Sequence, residues 1–139
     1  MNTALLEQAG DEMAHELLAR GESIRFIARG RSMWPFVLDG DHVVVEPIAA
    51  GLAVGDVVLL PHPGLGRLHR VTAISSDGHV RVRGDALVQS DGWFPSEILA
   101  GRLVAIERNG RDRPVRSGSA VVALSTVLGL ARRAVSLLK

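Results

Sequence analysis

The sequence contains no cysteine, and its only lysine is the last of its 139 residues, Lys139. Without cysteine there can be no disulfide, thiolate metal site, iron–sulfur cluster or cysteine nucleophile. Sixteen residues are basic, so fifteen of them are arginines. Arginine stays protonated in proteins and cannot act as a general base. Chemistry that needs a lysine base, a Schiff base or a P-loop lysine is therefore excluded, unless the C-terminus itself folds into the site.

The sequence also has few aromatic residues and a small net charge. There are two tryptophans, three phenylalanines and no tyrosine, and the formal net charge is +1. A nucleic-acid binder usually carries a concentrated basic surplus, so we expect no nucleic-acid partner. The length suits one domain, and 47 % hydrophobic with 22 % charged residues is an ordinary globular composition.

The first 21 residues are predicted to form an N-terminal amphipathic helix that ends at Gly21. Acidic residues surround the face opposite the apolar stripe, which argues against a signal peptide or an N-terminal membrane anchor. The apolar stripe follows helical spacing and comprises Leu6, Ala9, Met13 and Leu17.

From residue 22 to residue 108 the pattern changes to short apolar runs separated by turn signals such as Asp77-Gly78. The run 79–83 alternates strictly between polar and apolar residues, which predicts a strand with one buried and one solvated face. We therefore expect a mostly-β domain over 22–108. Its six predicted strands are Ile24–Ala28, His42–Glu46, Asp56–Leu60, Arg67–Ile74, His79–Arg83 and Leu103–Glu107.

The remainder is predicted as a polar linker over 109–119 followed by a C-terminal helix over 120–139. The uncharged stretch 117–131 is shorter than the roughly 20 apolar residues that a spanning helix needs. Two interpretations stay open. The helix packs on the domain or on a second copy in a homodimer, or it lies at a membrane surface with Arg132 and Arg133 near lipid headgroups.

Three short stretches contain the residue types that nucleophilic catalysis requires. Ser32 follows a predicted strand and precedes a proline-constrained turn, which would hold its hydroxyl at a fixed point. A serine hydroxyl needs a base within hydrogen-bond reach and backbone N–H groups that stabilise the oxyanion. Imidazole is suited to accept that proton, and His69 lies in a predicted strand. A carboxylate from the stretch 82–91, which contains Asp85 and Asp91, can orient the imidazole.

The order and spacing of these stretches resemble a known superfamily. Residues 30–41, Gly-Arg-Ser-Met-Trp-Pro followed by Gly-Asp, resemble the nucleophile box of type I signal peptidases and LexA-type self-cleaving repressors. Residues 69–71, His-Arg-Val, are similar to the sequence around the histidine base of endoplasmic-reticulum and archaeal-type signal peptidases. Residues 84–91, a Gly-Asp pair followed six residues later by Asp91, resemble the aspartate box of the same subfamily, although Ala-Leu replaces the Asn-Asn that often follows it.

This resemblance implies a mostly-β fold of the signal-peptidase and LexA type, with one helix added at each end, and a serine endopeptidase activity. Ser32 would be the nucleophile and His69 the general base, and the carboxylates of Asp85 and Asp91 would support the histidine. The residues next to the nucleophile are expected to contact the substrate, and they are Met33, Trp34 and Pro35.

We expect a peptide or protein substrate, no metal and no organic cofactor, because the five histidines have no metal-ligand spacing. The expected location is the cytoplasm, with membrane association left open. Two other functions stay open. One is a peptide-binding relative with little or no activity. The other is a self-cleaving LexA-type domain, for which the bond between Ala9 and Gly10 is the candidate.

Overall fold

The computed structural model describes residues 12–61 and 67–138, which form a mostly-β fold with a helix at each end. A helix over 12–19, α1, precedes the strands, and a 19-residue helix, α2, follows them over Ser119–Leu137. This confirms the predicted fold class. The strands are β1 Ile24–Ile27, β2 His42–Pro47, β3 Val57–Leu59, β4 Leu68–Ile74, β5 His79–Arg83, β6 Gly92–Pro95, β7 Gly101–Arg108 and β8 Arg111–Arg113, with a 3-10 turn at Ser96–Ile98.

The eight strands form one antiparallel sheet in the order β1-β2-β7-β3-β4-β5-β6, and β8 pairs with β7. Strand β7 therefore connects the β1–β2 pair to the rest of the sheet. In the centre, Val58 of β3 is opposite Arg102 of β7 on one side and His69 of β4 on the other. His69 thus lies on an interior strand, where hydrogen bonds to both neighbouring strands hold the backbone in place.

Apolar side chains cover both faces of the central strands. Val57 and Leu59 pack into the larger hydrophobic cluster, whereas Val58, pointing the opposite way, belongs to the smaller one. Helix α1 adds Ala14 and Leu18 to the larger cluster, which places this helix on that face of the sheet. Burial on both faces explains why the β3 run Val-Val-Leu is continuously apolar and does not alternate.

All six predicted strands are present, with ends within two residues of the prediction, and two further strands were missed. Strand β8 lies in the segment 109–119, so the linker prediction is wrong for that part of the segment. Asn109 and Gly110 both have positive φ, 53° and 76°, as a tight hairpin turn requires, and they connect β7 to β8. Of the predicted helix over 1–21, residues 1–11 lie outside the described residues.

Candidate active site

Ser32 lies in the loop 28–41 between β1 and β2, which we call the serine loop, and the two ends of this loop are hydrogen-bonded to each other. The Ala28 N–H donates to the Asp41 carbonyl at 2.8 Å and closes the base of the loop. Gly30 adopts a left-handed conformation with φ 88°, which favours glycine, and its N–H donates to the Asp39 carboxylate at 2.8 Å. These two hydrogen bonds restrain the backbone that carries Ser32.

The structure brings Ser32, His69 and Asp91 together. The Ser32 Oγ lies 3.1 Å from the His69 Nε2, across 37 residues of sequence. The other ring nitrogen of His69, Nδ1, contacts the Asp91 Oδ2. Asp91 is held by a 2.9 Å hydrogen bond from its N–H to the Val82 carbonyl, immediately before β6. The missed strand β6 is thus part of what positions this carboxylate.

This arrangement fixes the direction of the hydrogen bonds. Because a carboxylate accepts, the Nδ1–H of neutral His69 donates to Asp91, and the Nε2 lone pair is left to accept from the Ser32 hydroxyl. His69 itself is buried, at 3 % exposure. The geometry is that of a nucleophile, a base within reach and a carboxylate that orients the base.

Among the described residues Asp85 forms no hydrogen bond with His69, although the sequence suggested that it supports the histidine. Its two carboxylate oxygens instead accept from the Nε and Nη2 of Arg70, both at 2.8 Å. The Nη1 of Arg70 donates to the carbonyls of Gly55 and Arg116, at 2.7 and 2.6 Å. This fully buried ion pair joins β4 to three loops, so Asp85 holds the surroundings of the site together.

Close packing also explains why residue 84, immediately before Asp85, is a glycine. A Cβ placed on Gly84 would lie 2.8 Å from the Ser32 carbonyl oxygen and 3.1 Å from the His69 Nε2. The loop after β5 therefore touches both the serine loop and the imidazole. A hydrogen bond of 2.9 Å from the Ala86 N–H to the same Ser32 carbonyl fixes this approach.

The Ser32 N–H is the candidate donor for a developing oxyanion. Within residues 12–61 and 67–138, the Ser32 N–H donates to no acceptor. Its carbonyl, in contrast, accepts from Ala86. The free Ser32 N–H can therefore donate to an oxygen of a bound molecule, as an oxyanion hole requires.

The three residues expected to contact substrate are in different environments. Met33 is 4 % exposed, packs in the larger hydrophobic cluster and accepts a hydrogen bond from the Asp85 N–H at its Sδ, so the expectation is wrong for Met33. Trp34 is 44 % exposed. Pro35 is half-buried and follows a cis peptide bond. Trp34 is thus the residue of the three that presents most of its surface to a ligand.

Helix α2 packs against the candidate site, which the sequence did not indicate. Its Ser125 hydroxyl accepts a 2.7 Å hydrogen bond from the Nη2 of Arg83, and both side chains are buried. A Cβ on Gly129 would lie 3.1 Å from the Leu87 carbonyl oxygen, so the helix backbone closely approaches the loop after β5. The spacing of Ser125 and Gly129, four residues apart on an apolar helix, is the sequence signal that could have identified this packed face.

Burial lowers the pKa of Arg83, and the nearby positive charges of Arg70 and Arg81 act in the same direction, whereas the charge of Asp85 raises it. Because arginine starts from so high a value, Arg83 stays a cation at neutral pH. Its hydrogen bond to Ser125 is therefore charge-assisted, which makes it a strong attachment between β5 and α2.

Two cavities lie between α2 and the loops of the site. The first, which we call the Ser32 groove, has a volume of about 630 Å³ and is lined by Ser32, Leu87 and Gln89 on one side and Arg132 and Arg133 of α2 on the other. The second, the Trp34 pocket, has about 640 Å³ and is lined mainly by apolar side chains, among them Trp34, Leu128 and Val135. Both are large enough for peptide side chains.

Comparison with known proteins adds no assignment, because the chain matches no protein-family model, no curated protein and no solved structure. Within the part of the chain that the structure describes, no three histidine or acidic side chains are grouped so that they could hold a metal ion.

Proposed function

We propose that the chain is a serine endopeptidase in which Ser32 is the nucleophile, His69 the general base and Asp91 the residue that orients the base. The observation that carries the proposal is the hydrogen-bonded series from Ser32 Oγ through both nitrogens of His69 to Asp91. The likeness of residues 30–41, 69–71 and 84–91 to the histidine-dependent signal peptidases supports the same chemistry.

In the proposed reaction the Ser32 Oγ attacks the carbonyl carbon of the scissile peptide bond while its proton moves to the His69 Nε2. The Ser32 N–H donates to the oxyanion that forms. His69 then gives the proton to the leaving amine as the carbon–nitrogen bond breaks, and an acyl-enzyme on Ser32 remains. A water molecule, deprotonated by His69, hydrolyses this ester and releases the second product. Asp91 keeps the imidazole in the required tautomer and stabilises its charged form.

Labelling by an acylating serine-peptidase inhibitor tests the nucleophile. We expect the wild-type protein to gain the mass of one acyl group and Ser32→Ala to gain none, because the alanine has no hydroxyl to acylate. Ser76→Ala, which removes an exposed serine from the turn between β4 and β5, is the matched control and should label like wild type. Equal labelling of Ser32→Ala and wild type would remove Ser32 from the mechanism.

Measurements of binding, labelling and cleavage distinguish the proposed function from the two alternative functions. A peptide-binding relative without activity would bind peptides but show neither labelling nor cleavage. A self-cleaving domain would release a fragment at a rate independent of protein concentration, and the candidate bond between Ala9 and Gly10 lies outside the described residues. We favour cleavage of a separate peptide because the Ser32 groove opens beside the nucleophile and has room for one.

We also propose that the protein works in the cytoplasm with α2 in contact with a membrane surface. By length and composition α2 could cross a membrane, and 11 % of its apolar stretch is buried in the fold. The hydrogen bond to Ser125 and the close approach at Gly129 keep one face of α2 on the sheet, which favours contact in the plane of the membrane over spanning. The opposite face exposes large apolar side chains, namely Leu124, Val127 and Leu130.

Co-sedimentation with phosphatidylcholine vesicles tests the membrane proposal. We expect the wild-type protein to sediment with the vesicles and the double variant Val127→Ser/Leu130→Ser to stay in solution, because it removes apolar area from the exposed face. Ser119→Ala at the start of the helix is the control. If wild type stays in solution with vesicles and instead forms a dimer that the double variant disrupts, the exposed face is a homodimer interface and the membrane proposal fails.

A further inference from the structure

The Ser32 groove has an unbalanced charge. Three of its lining residues are arginines, namely Arg31 from the serine loop and Arg132 and Arg133 from α2. No acidic side chain is among the described residues that line it. The two wall residues Gln89 and Ser136 are neutral hydrogen-bonding groups. A molecule that enters the groove therefore meets positive charge beside the proposed nucleophile.

One of these arginines, Arg132, contacts residues of the site. The guanidinium of Arg132 lies 5.8 Å from the centre of the Trp34 ring, within the range of a cation–π contact. Its Nη1 also donates to the Arg31 carbonyl at 3.4 Å. Arg132 lines both cavities, so it stands where the Ser32 groove meets the Trp34 pocket. Its remaining N–H groups are available to a carboxylate in either cavity.

The Trp34 pocket differs from the Ser32 groove in charge. Arg31 and Arg132 line it as well, but Arg133 does not, and it contains an acidic residue, Asp39, whose carboxylate accepts from the Gly30 N–H. Its other walls are apolar. A negatively charged side chain is thus better accommodated in the Ser32 groove than in the Trp34 pocket. This difference in charge therefore favours binding of a peptide with its acidic side chain in the Ser32 groove.

We propose that the substrate of this protein is an acidic peptide, with an Asp or Glu side chain next to the scissile bond bound by Arg31, Arg132 and Arg133 in the Ser32 groove. The inference rests on the proposed peptidase function and deepens it, because it names the class of substrate. It also gives α2 a role in specificity, since two of the three arginines belong to that helix.

Binding to the Ser32→Ala variant tests the acid preference without requiring activity. Two pools of random decapeptides are offered to the immobilised variant, identical except that one has Asp and Glu where the other has Asn and Gln, and the retained peptides are counted by mass spectrometry. We expect about tenfold enrichment of the acidic pool, because each partly exposed ion pair contributes about two- to fivefold. The enrichment should fall when the salt concentration rises from about 0.05 to 0.5 M.

Charge variants assign the preference to the groove. In the Ser32→Ala background, Arg132→Gln/Arg133→Gln should lose most of the enrichment. The control Arg20→Gln/Arg111→Gln removes the same charge from exposed positions after α1 and on β8 that do not line the groove, and it should keep the enrichment. Equal retention of the two pools by the Ser32→Ala variant, or equal loss in both double variants, would overturn the proposal.

Cleavage distinguishes the failure of this inference from the failure of the proposed function. If wild type cuts peptides and the cut sites show no excess of Asp or Glu, the peptidase proposal stands and the acidic substrate is wrong. If the acidic pool is enriched but nothing is cut, acid recognition by the groove is supported and the peptidase function is wrong. If the pools are retained equally while the two α2 arginines are needed for binding to phosphatidylserine vesicles, those arginines serve lipid headgroups and the inference fails.

Discussion

At the scale of single residues, Asp85 and Asp91 are six positions apart but serve different purposes because their neighbours differ. The Asp85 side chain has no exposed surface, and both of its oxygens are bound by Arg70, whose side chain is equally buried. The Asp91 side chain is 23 % exposed and contacts the ring of His69. The first aspartate therefore acts on the stability of the fold, whereas the second acts on the imidazole.

Substituting each aspartate by asparagine separates these roles. Asp91→Asn should lower kcat/KM by about 10⁴-fold, as the loss of the orienting carboxylate does in a serine triad, with little change in the free energy of unfolding. Asp85→Asn should lower the free energy of unfolding by about 3–5 kcal/mol, because it leaves the buried Arg70 without its counter-charge. Urea unfolding and peptide-cleavage kinetics on both variants provide the measurements. The assignment would be reversed if Asp91→Asn unfolded readily and Asp85→Asn stayed stable but inactive.

At the scale of elements, α2 determines the shape of the candidate site. It supplies one wall of the Ser32 groove and one wall of the Trp34 pocket, and it is attached through Ser125 and Gly129. Glycine normally disfavours a helix interior by about 1 kcal/mol relative to alanine. Here the absence of a side chain at Gly129 allows the helix to approach the loop that follows Gly84, so the packing outweighs the helix propensity.

A large side chain at this contact should release the helix. Gly129→Leu places a Cβ 3.1 Å from the Leu87 carbonyl oxygen and the rest of the side chain further into the loop, so we expect α2 to leave the sheet. Ala123→Leu, at an exposed position of α2, is the control. Hydrogen exchange of the α2 backbone amides should accelerate in the first variant and stay unchanged in the second. Equal protection in both variants would show that Gly129 does not limit the packing.

At the scale of the whole molecule, a second ion pair connects distant parts of the chain. Asp41, at the end of the serine loop, accepts from the Nε and Nη2 of Arg108 in β7, both at 2.8 Å. Burial raises the pKa of Asp41, but hydrogen bonds from Arg108 and the Leu38 N–H, with the charges of Arg108 and Arg113, outweigh burial and hold the pKa below its ordinary value. The ion pair therefore attaches the serine loop to the sheet, and it requires the Asp41 carboxylate to be ionised.

Because the pKa of Asp41 is lower in the folded protein than in the unfolded chain, its contribution to stability is complete above the unfolded value of about 3.9 and is lost as the pH falls through the folded value. Asp41→Asn should therefore lower the free energy of unfolding by about 2 kcal/mol at pH 7, and the difference from wild type should shrink as the pH falls below about 4. Urea unfolding at a series of pH values measures this difference. Asp112→Asn, at an exposed position of β8, should show little effect at any pH. A deficit in Asp41→Asn that is constant with pH would contradict the role given to the charge.

The sequence by itself determined the mostly-β fold, six of the eight described strands and the C-terminal helix. The physical reason is that alternation, turn residues and helical apolar spacing are local signals, which a few neighbouring residues establish. It also offered Ser32, His69 and Asp91 as candidates, through the resemblance of residues 30–41, 69–71 and 84–91 to the signal-peptidase motifs, and the absence of an internal lysine argued against a lysine base. Strands β6 and β8 were missed because their residues do not form an apolar strand pattern: β6 is Gly-Trp-Phe-Pro, bounded by glycine and proline, and β8 is Arg-Asp-Arg, without an apolar residue.

The tertiary structure decided how those candidates are used. The spacing of the sequence does not distinguish Asp85 from Asp91. The pairing of β4 with β5 and of β5 with β6 places Asp85 against Arg70 and Asp91 against His69. Likewise, nothing local to α2 shows that its arginines reach the loop of Ser32, about a hundred residues earlier in the chain. Contacts of this kind depend on where long-range strand pairing and core packing place distant segments, and that information is spread over the whole sequence.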